Sequence, residues 1–200
     1  MRSRSDVIDH YDRLIAEEND PVRDPEPLQQ YMDKWDGVPF LNALELSKEK
    51  SVLEIGVGTG RLAVKIAPKC GTFTGVDLSP ETVKRAAENL RDCPNVTLYC
   101  ADFMEFAFAE TFDVAYSSLT FLHIEEKQQA VDRVAGLLRK NGRFVLSIDK
   151  NPSDFLDMGT RKIKIYPDTP ETIRECIKNA GLTFEQQIET EFAYIIIAKT

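Results

Sequence analysis

Val52 to Ala63 reads VLEIGVGTGRLA. A short apolar run, Ser51 to Ile55 (SVLEI), leads straight into glycines at 56, 58 and 60. Arg61 to Ala67 then has a helical pattern. Glycine at such a turn lets the chain bend sharply and lets a ligand approach the backbone. The helix start beyond it offers N–H groups with no partner inside the helix. In an open α/β sheet this strand end lies beside the crevice where ligands bind.

The same alternation of strand and helix runs outward from this segment. Thr72 to Val76 is predicted as a strand and Pro80 to Leu90 as a helix. The start of that helix is marked by Ser79 as cap, Pro80 at the first position and Glu81 at the positive end. Val96 to Cys100 and Phe112 to Tyr116 follow as strands, Glu126 to Arg139 as an amphipathic helix stopped by Asn141-Gly142, and Arg143 to Ile148 as a strand. Such a rhythm with short links argues for a parallel sheet covered on both faces. The end differs. A helix from Thr169 to about Asn179 precedes two runs, Thr183 to Thr190 and Phe192 to Lys199, that nearly touch in sequence. So short a link permits an antiparallel hairpin and no parallel crossover. Lys162 to Tyr166 is a further short strand, whose alternating lysines suit the solvent side of a sheet edge better than an anion site with Arg161.

Before position 47 the pattern is helical: Asp6 to Glu18, a proline-rich connector at Asp20 to Pro27 (DPVRDPEP), then Leu28 to Leu46 broken near Gly37-Val38-Pro39. We read 1–46 as an N-terminal helical lid and 47–200 as the main domain, in one compact unit. Trp35 and Phe40 pack that lid on the core, and His10 is ordinary surface. Glu125-Glu126-Lys127 reads as a solvated helix start.

The chain has 200 residues, 42% hydrophobic and 29% charged, an ordinary globular composition. Its formal net charge of −8 repels a phosphate backbone and argues against a nucleic-acid partner. The longest apolar runs, such as Tyr194 to Ala198, fall far short of the ~20 residues of a membrane span. MRSRSDVIDH has no apolar core of a secretory signal. Cys70, Cys93, Cys100 and Cys176 show no CxxC spacing, which leaves zinc and redox motifs without support and fits reduced cysteines in the cytoplasm.

Two acidic residues stand at the ends of the next strands: Asp77 in GVDLS, where a carboxylate accepts both hydroxyls of a ribose, and Asp102 in CADF, where one accepts from an exocyclic amine beside Phe103. With the glycine loop they compose a nucleoside site.

From Ser51 to Lys150 the chain resembles the class I S-adenosylmethionine-dependent methyltransferases, in particular their small-molecule branch of ubiquinone and menaquinone methyltransferase type. The stretches that carry the resemblance are VLEIGVGTGRLA, TGVDLSPETVKRA, VTLYCADF, FDVAYSSLTFLHI and LLRKNGRFVLSID, in that order. It implies a three-layer α/β/α Rossmann-like sandwich on a seven-stranded, mostly parallel sheet with one antiparallel strand near the C-terminus. It implies S-adenosylmethionine as cofactor, S-adenosylhomocysteine as product, a small-molecule acceptor and no metal.

Residue by residue, the resemblance places Gly56, Gly58 and Gly60 along the methionine part of the cofactor. Glu54 holds the loop and the amino group. Asp77 takes the ribose, with Leu78 on the adenine face. Asp102 and Phe103 take the adenine, and Ser117 or Ser118 borders the methionine end. Arg61 either touches the carboxylate of the methyl donor or sits solvated. Tyr11 is the candidate lid aromatic over the cofactor. His123, in LTFLHI after the fourth strand, is the candidate general base, with packing in its loop as the other reading.

A nicotinamide dehydrogenase would want G-x-G-x-x-G, with glycine where Arg61 stands; here the third glycine comes one residue early. A non-catalytic accessory subunit that binds the methyl donor is the remaining rival. Ser117-Ser118-Leu119-Thr120 lacks the Pro-Pro-aromatic signature of base N-methyltransferases, and Cys93-Pro94 falls before the third strand, out of place for cytosine C5 chemistry.

Overall fold

The computed structural model describes residues 2–157, 159 and 161–200. The chain enters through three helices, α1 (Arg2–Ala16), α2 (Glu26–Met32) and α3 (Gly37–Ala43). A central alternation follows: β1 (Ser51–Ile55), α4 (Ala63–Ile66), β2 (Thr72–Asp77), α5 (Pro80–Asn89), β3 (Val96–Cys100), β4 (Phe112–Ser118), α6 (Lys127–Leu137) and β5 (Leu138–Asp149). A two-stranded ribbon, β6 (Phe155–Asp157) with β7 (Lys162–Lys164), leads to α7 (Pro170–Asn179) and the hairpin β8 (Thr183–Glu189) and β9 (Ala193–Lys199).

The main sheet has seven strands in the order β3-β2-β1-β4-β5-β9-β8. β9 is the reversed strand of this sheet, antiparallel to both β5 and β8. The sheet steps one way from β1 to β2 and β3, then the other way to β4 and β5. The reversal opens a crevice beyond the carboxyl ends of β1 and β4.

Strand alternation sorts the core into two layers. Leu53, Ile55, Phe144 and Leu146 pack with α6 and α7 on one face. Val52, Phe73, Tyr116 and Val145 pack with Phe40, Ile66 and Ala86 on the other. All five residues of β1 are buried, as a strand covered on both faces requires. Ser79 caps α5 by accepting from Thr82 N, and Thr169 caps α7 by accepting from Thr172 N.

Several boundaries differ from the sequence reading. The helix after the glycine loop is only Ala63–Ile66, because the loop itself holds 61 and 62 and Pro68 forces a tighter turn. Helix α6 ends at Leu137, because Leu138 already pairs with Phe112; Asn141, at φ +62°, marks a bend inside β5. The fourth strand runs on to Ser118, so Ser117 and Ser118 lie within it. The short strand near 162 is present with the expected alternation, Ile163 buried between exposed lysines, but it pairs with β6, which had no sequence signal.

Candidate functional site

Gly56 N and Val57 N both donate to Val76 O, at 2.9 and 3.1 Å, and so carry the strand pairing past the end of β1. Gly56 turns at φ +79°, and a Cβ there would lie 1.9 Å from Thr120 Oγ1, so no side chain fits. Gly58 turns at φ +53° with open space where its Cβ would be. Gly60 N donates to Val57 O at 2.9 Å and closes the loop.

Asp77, at the end of β2, ties this loop to the next. Its Oδ2 accepts from Gly58 N at 2.9 Å and its Oδ1 from Ser79 N at 3.0 Å. Burial raises its pKa, against the pull of those backbone N–H groups. The cap residue Ser79 reaches the N-terminal helix as well, donating to Asp12 Oδ1 of α1 at 2.6 Å.

Glu54, 3% exposed, lies under the loop and accepts from the Tyr116 hydroxyl at 2.8 Å. Burial pushes its carboxyl up to about 8, although the Tyr116 hydrogen bond and the Arg61 charge oppose the shift. Arg61 is not solvated. It pairs through both terminal nitrogens with Asp36, which is fully buried and also accepts from Ser118 Oγ at 2.8 Å and Gly37 N at 2.6 Å. Burial alone would raise Asp36; the Arg61 guanidinium and these hydrogen bonds hold it below the usual carboxylate range.

Past β3, Asp102 Oδ1 accepts from Met104 N at 2.8 Å and its Oδ2 lies 2.9 Å from Arg4 of α1. Past β4, a tight turn at Phe121–His123 carries His123 under α1, where its Nε2 lies 2.8 Å from Tyr11 Oη. Burial drops His123 to about 4, with the neighbouring His10 and Lys127 charges adding to the effect. Burial and the Asp77 charge raise Tyr11 well above the usual tyrosine value.

These groups surround one cavity of about 450 Å³. That lies in the ~300–1,000 Å³ range of small-molecule and cofactor sites. Of the site residues read from the sequence, all but Gly60 and Ser117 line it. Gly60 serves the turn. Ser117 is fully buried and donates to Ile55 O at 2.8 Å, so it braces β4 against β1 instead of bordering the cavity.

Other residues of the site differ from the sequence reading or carry no sequence signal. His10 is 4% exposed and its Nδ1 accepts from Arg161 Nε at 2.9 Å, so it is no surface residue. Lys127 is not solvated: it donates to Phe121 O, Tyr166 O and Asp168. Arg4, Asp12, Asp36 and Thr120 all act at the site; of these only Asp36, directly before Gly37-Val38-Pro39, carries a local signal, that of a helix cap. No group of His, Cys, Asp and Glu among the described residues could hold a metal ion.

A methyltransferase-domain family model matches residues 53–146, the span from β1 into β5. An uncharacterized methyltransferase of Anoxybacillus flavithermus is 35% identical over 123 residues, covering 60% of this chain and 57% of that protein. Alignments with it and with similar Bacillus and Geobacillus proteins span 55–66% of the length of those relatives. Among solved structures, magnesium protoporphyrin IX methyltransferase from Synechocystis superposes with a TM-score of 0.77 at 16% identity, covering 98% of this chain and 96% of that one. The [4+2]-cyclase SpnF superposes with a TM-score of 0.73 at 17% identity, covering 99% and 97%. At such identities the structural likeness speaks for the fold alone. From β1 into β5 the chain matches the methyltransferase-domain family model and is similar in sequence to those methyltransferases.

Proposed function

We propose that this protein transfers a methyl group from S-adenosylmethionine to a small-molecule acceptor. The observation that carries this reading is the convergence of Glu54, Asp77 and Asp102, one at or just past each of three adjacent strand ends, on one cavity roofed by α1. The residues present fit the cofactor. Gly58 leaves an open cradle where a Cβ would intrude. Asp77 suits a ribose diol, Asp102 and Phe103 an adenine, and Glu54 an ammonium group. Leu78 and Ser118 complete the wall. When bound, S-adenosylmethionine supplies a methyl group on a positively charged sulfur, a leaving group that needs neither metal nor acid.

The protein then has to orient and to exclude water. Orientation of reacting groups contributes up to about 7–11 kcal/mol. The segment 1–46 acts as the lid. Its helix α1 is held to the strand ends through Arg4, Tyr11 and Asp12. The acceptor enters beside Tyr11 and His123. The magnesium protoporphyrin IX methyltransferase carries a comparable fold for a small-molecule reaction, which supports an acceptor of that size class here. The SpnF cyclase shows that this fold also serves other chemistry, so fold alone does not establish transfer. We assign the protein to the cytoplasm on its four free cysteines. Among the described residues no helix is long and apolar enough to cross a membrane.

The test is methyl transfer from radiolabelled S-adenosylmethionine into small molecules, with S-adenosylhomocysteine as the co-product. A donor-binding module that does not turn over would bind and yield neither.

A further inference from the structure

We propose that the Tyr11 hydroxyl, and not the His123 ring, is the group that meets the methyl acceptor, with His123 acting through it as a positioning residue. This rests on the methyltransferase reading above.

Neither nitrogen of His123 is open to an acceptor. Its Nε2 lies 2.8 Å from Tyr11 Oη. Its Nδ1 is closed off from solvent and has no hydrogen-bond partner among the described residues. The buried ring is neutral and so carries a single proton. A buried N–H without an acceptor is rarer in folded proteins than a buried lone pair without a donor. The proton therefore sits on Nε2, which donates to Tyr11 Oη. That leaves the O–H of Tyr11 unused by the histidine, on a side chain that lines the cavity and feels the Asp77 charge.

The two rings meet edge to face, 5.5 Å between centroids at 89°, which holds the Tyr11 ring and its C–O axis in place. The helix that carries it is pinned on both sides. Asp12 takes the Ser79 hydroxyl at 2.6 Å, and Arg4 pairs with Asp102 at 2.9 Å. Tyr11 is thereby located against the ends of β2 and β3.

A group so placed is a hydrogen-bond donor and not a base. It suits an acceptor atom that arrives with its lone pair free, such as a carboxylate or phenolate oxygen. That atom forms the bond to the methyl carbon as the methyl–sulfur bond breaks, and the bonding pair stays on sulfur. No proton has to pass to His123.

The experiment compares Tyr11→Phe, His123→Gln, His123→Ala and the double variant Tyr11→Phe/His123→Ala. Each is measured for methyl transfer and for S-adenosylhomocysteine binding by calorimetry. Wild-type protein that neither binds nor transfers would count against the function itself and is read first. Given wild-type turnover, Tyr11→Phe should lower kcat about a hundredfold, the scale of losing one oriented donor. Binding should change far less. Gln keeps an N–H for Tyr11, so His123→Gln should retain most of kcat. His123→Ala should fall as Tyr11→Phe does, and the double variant should fall no further. The proposal is overturned if Tyr11→Phe turns over like wild type, whatever the His123 variants do. Independent, multiplying losses in the double variant would overturn it as well.

Discussion

Glu54 Oε2 accepts a hydrogen bond from the Tyr116 hydroxyl across 2.8 Å, and both side chains are closed off from solvent. Arg61, Asp77 and Asp36 are the charges that act on this carboxyl. The usual value of 4.5 rises to about 8 in the folded protein. A carboxyl raised in this way favours the folded state fully below its unfolded value, and that contribution is lost as pH climbs to about 8. Melting temperature should therefore carry a downward slope between pH 5 and about 8 that Glu54→Gln flattens. Scanning calorimetry of both proteins across that range checks it. Identical slopes would mean that Glu54 is already ionised.

The same carboxyl should couple protons to cofactor binding. If Glu54 meets the ammonium group of S-adenosylhomocysteine, it ionises on binding and releases a proton. Affinity should then rise with pH from 6 toward about 8. Titrations in two buffers of different ionisation enthalpy should disagree in apparent heat for wild type and agree for Glu54→Gln.

Gly56 and Gly58 both adopt positive φ, yet they should fail differently. Alanine at 56 must displace Thr120, whose Oγ1 would lie 1.9 Å from the new Cβ. Gly56→Ala should lower stability and abolish binding together. Alanine at 58 meets no protein atom. Gly58→Ala should cost only about 1–2 kcal/mol, the strain of a left-handed residue, while its methyl group occupies the cradle. Urea unfolding and S-adenosylhomocysteine titration separate the two effects.

Asp36 and Arg61 form a buried pair that joins the start of α3 to the glycine loop. Asp36→Ala strands a guanidinium that is only 15% exposed. Removing one partner of a buried pair costs about 3–5 kcal/mol. The low end applies here, because Asp33 Oδ1 lies 3.9 Å from Arg61 Nη1 and offers partial compensation. Asp36→Ala/Arg61→Met should be more stable than Asp36→Ala alone in urea unfolding.

What the sequence made legible was local. The glycine loop, the capped start of α5 and Asp77 are all spelled within a few residues of the strand ends that place them. The hairpin betrayed the one reversed strand through the shortness of its link. The contacts that close the site are not local. Tyr11 and His123 are 112 positions apart, and Asp36 and Arg61 are 25 apart. Lys127 looked like a solvated helix start because its partner Asp168 lies 41 positions on, in a loop without a periodic signal. His10 looked like surface because Arg161 reaches it from 151 positions away. Pairings of this kind become visible only when the chain has brought its N-terminal helices over the strand ends.

Methyl transfer at this cavity can be measured directly. The most direct measurement incubates the protein with methyl-labelled S-adenosylmethionine and a size-fractionated cell extract, with Asp77→Asn as control. Label in the small-molecule fraction, matched by S-adenosylhomocysteine and lost in Asp77→Asn, is the predicted result. Label confined to protein or RNA, or cofactor binding with no S-adenosylhomocysteine formed, would contradict the account.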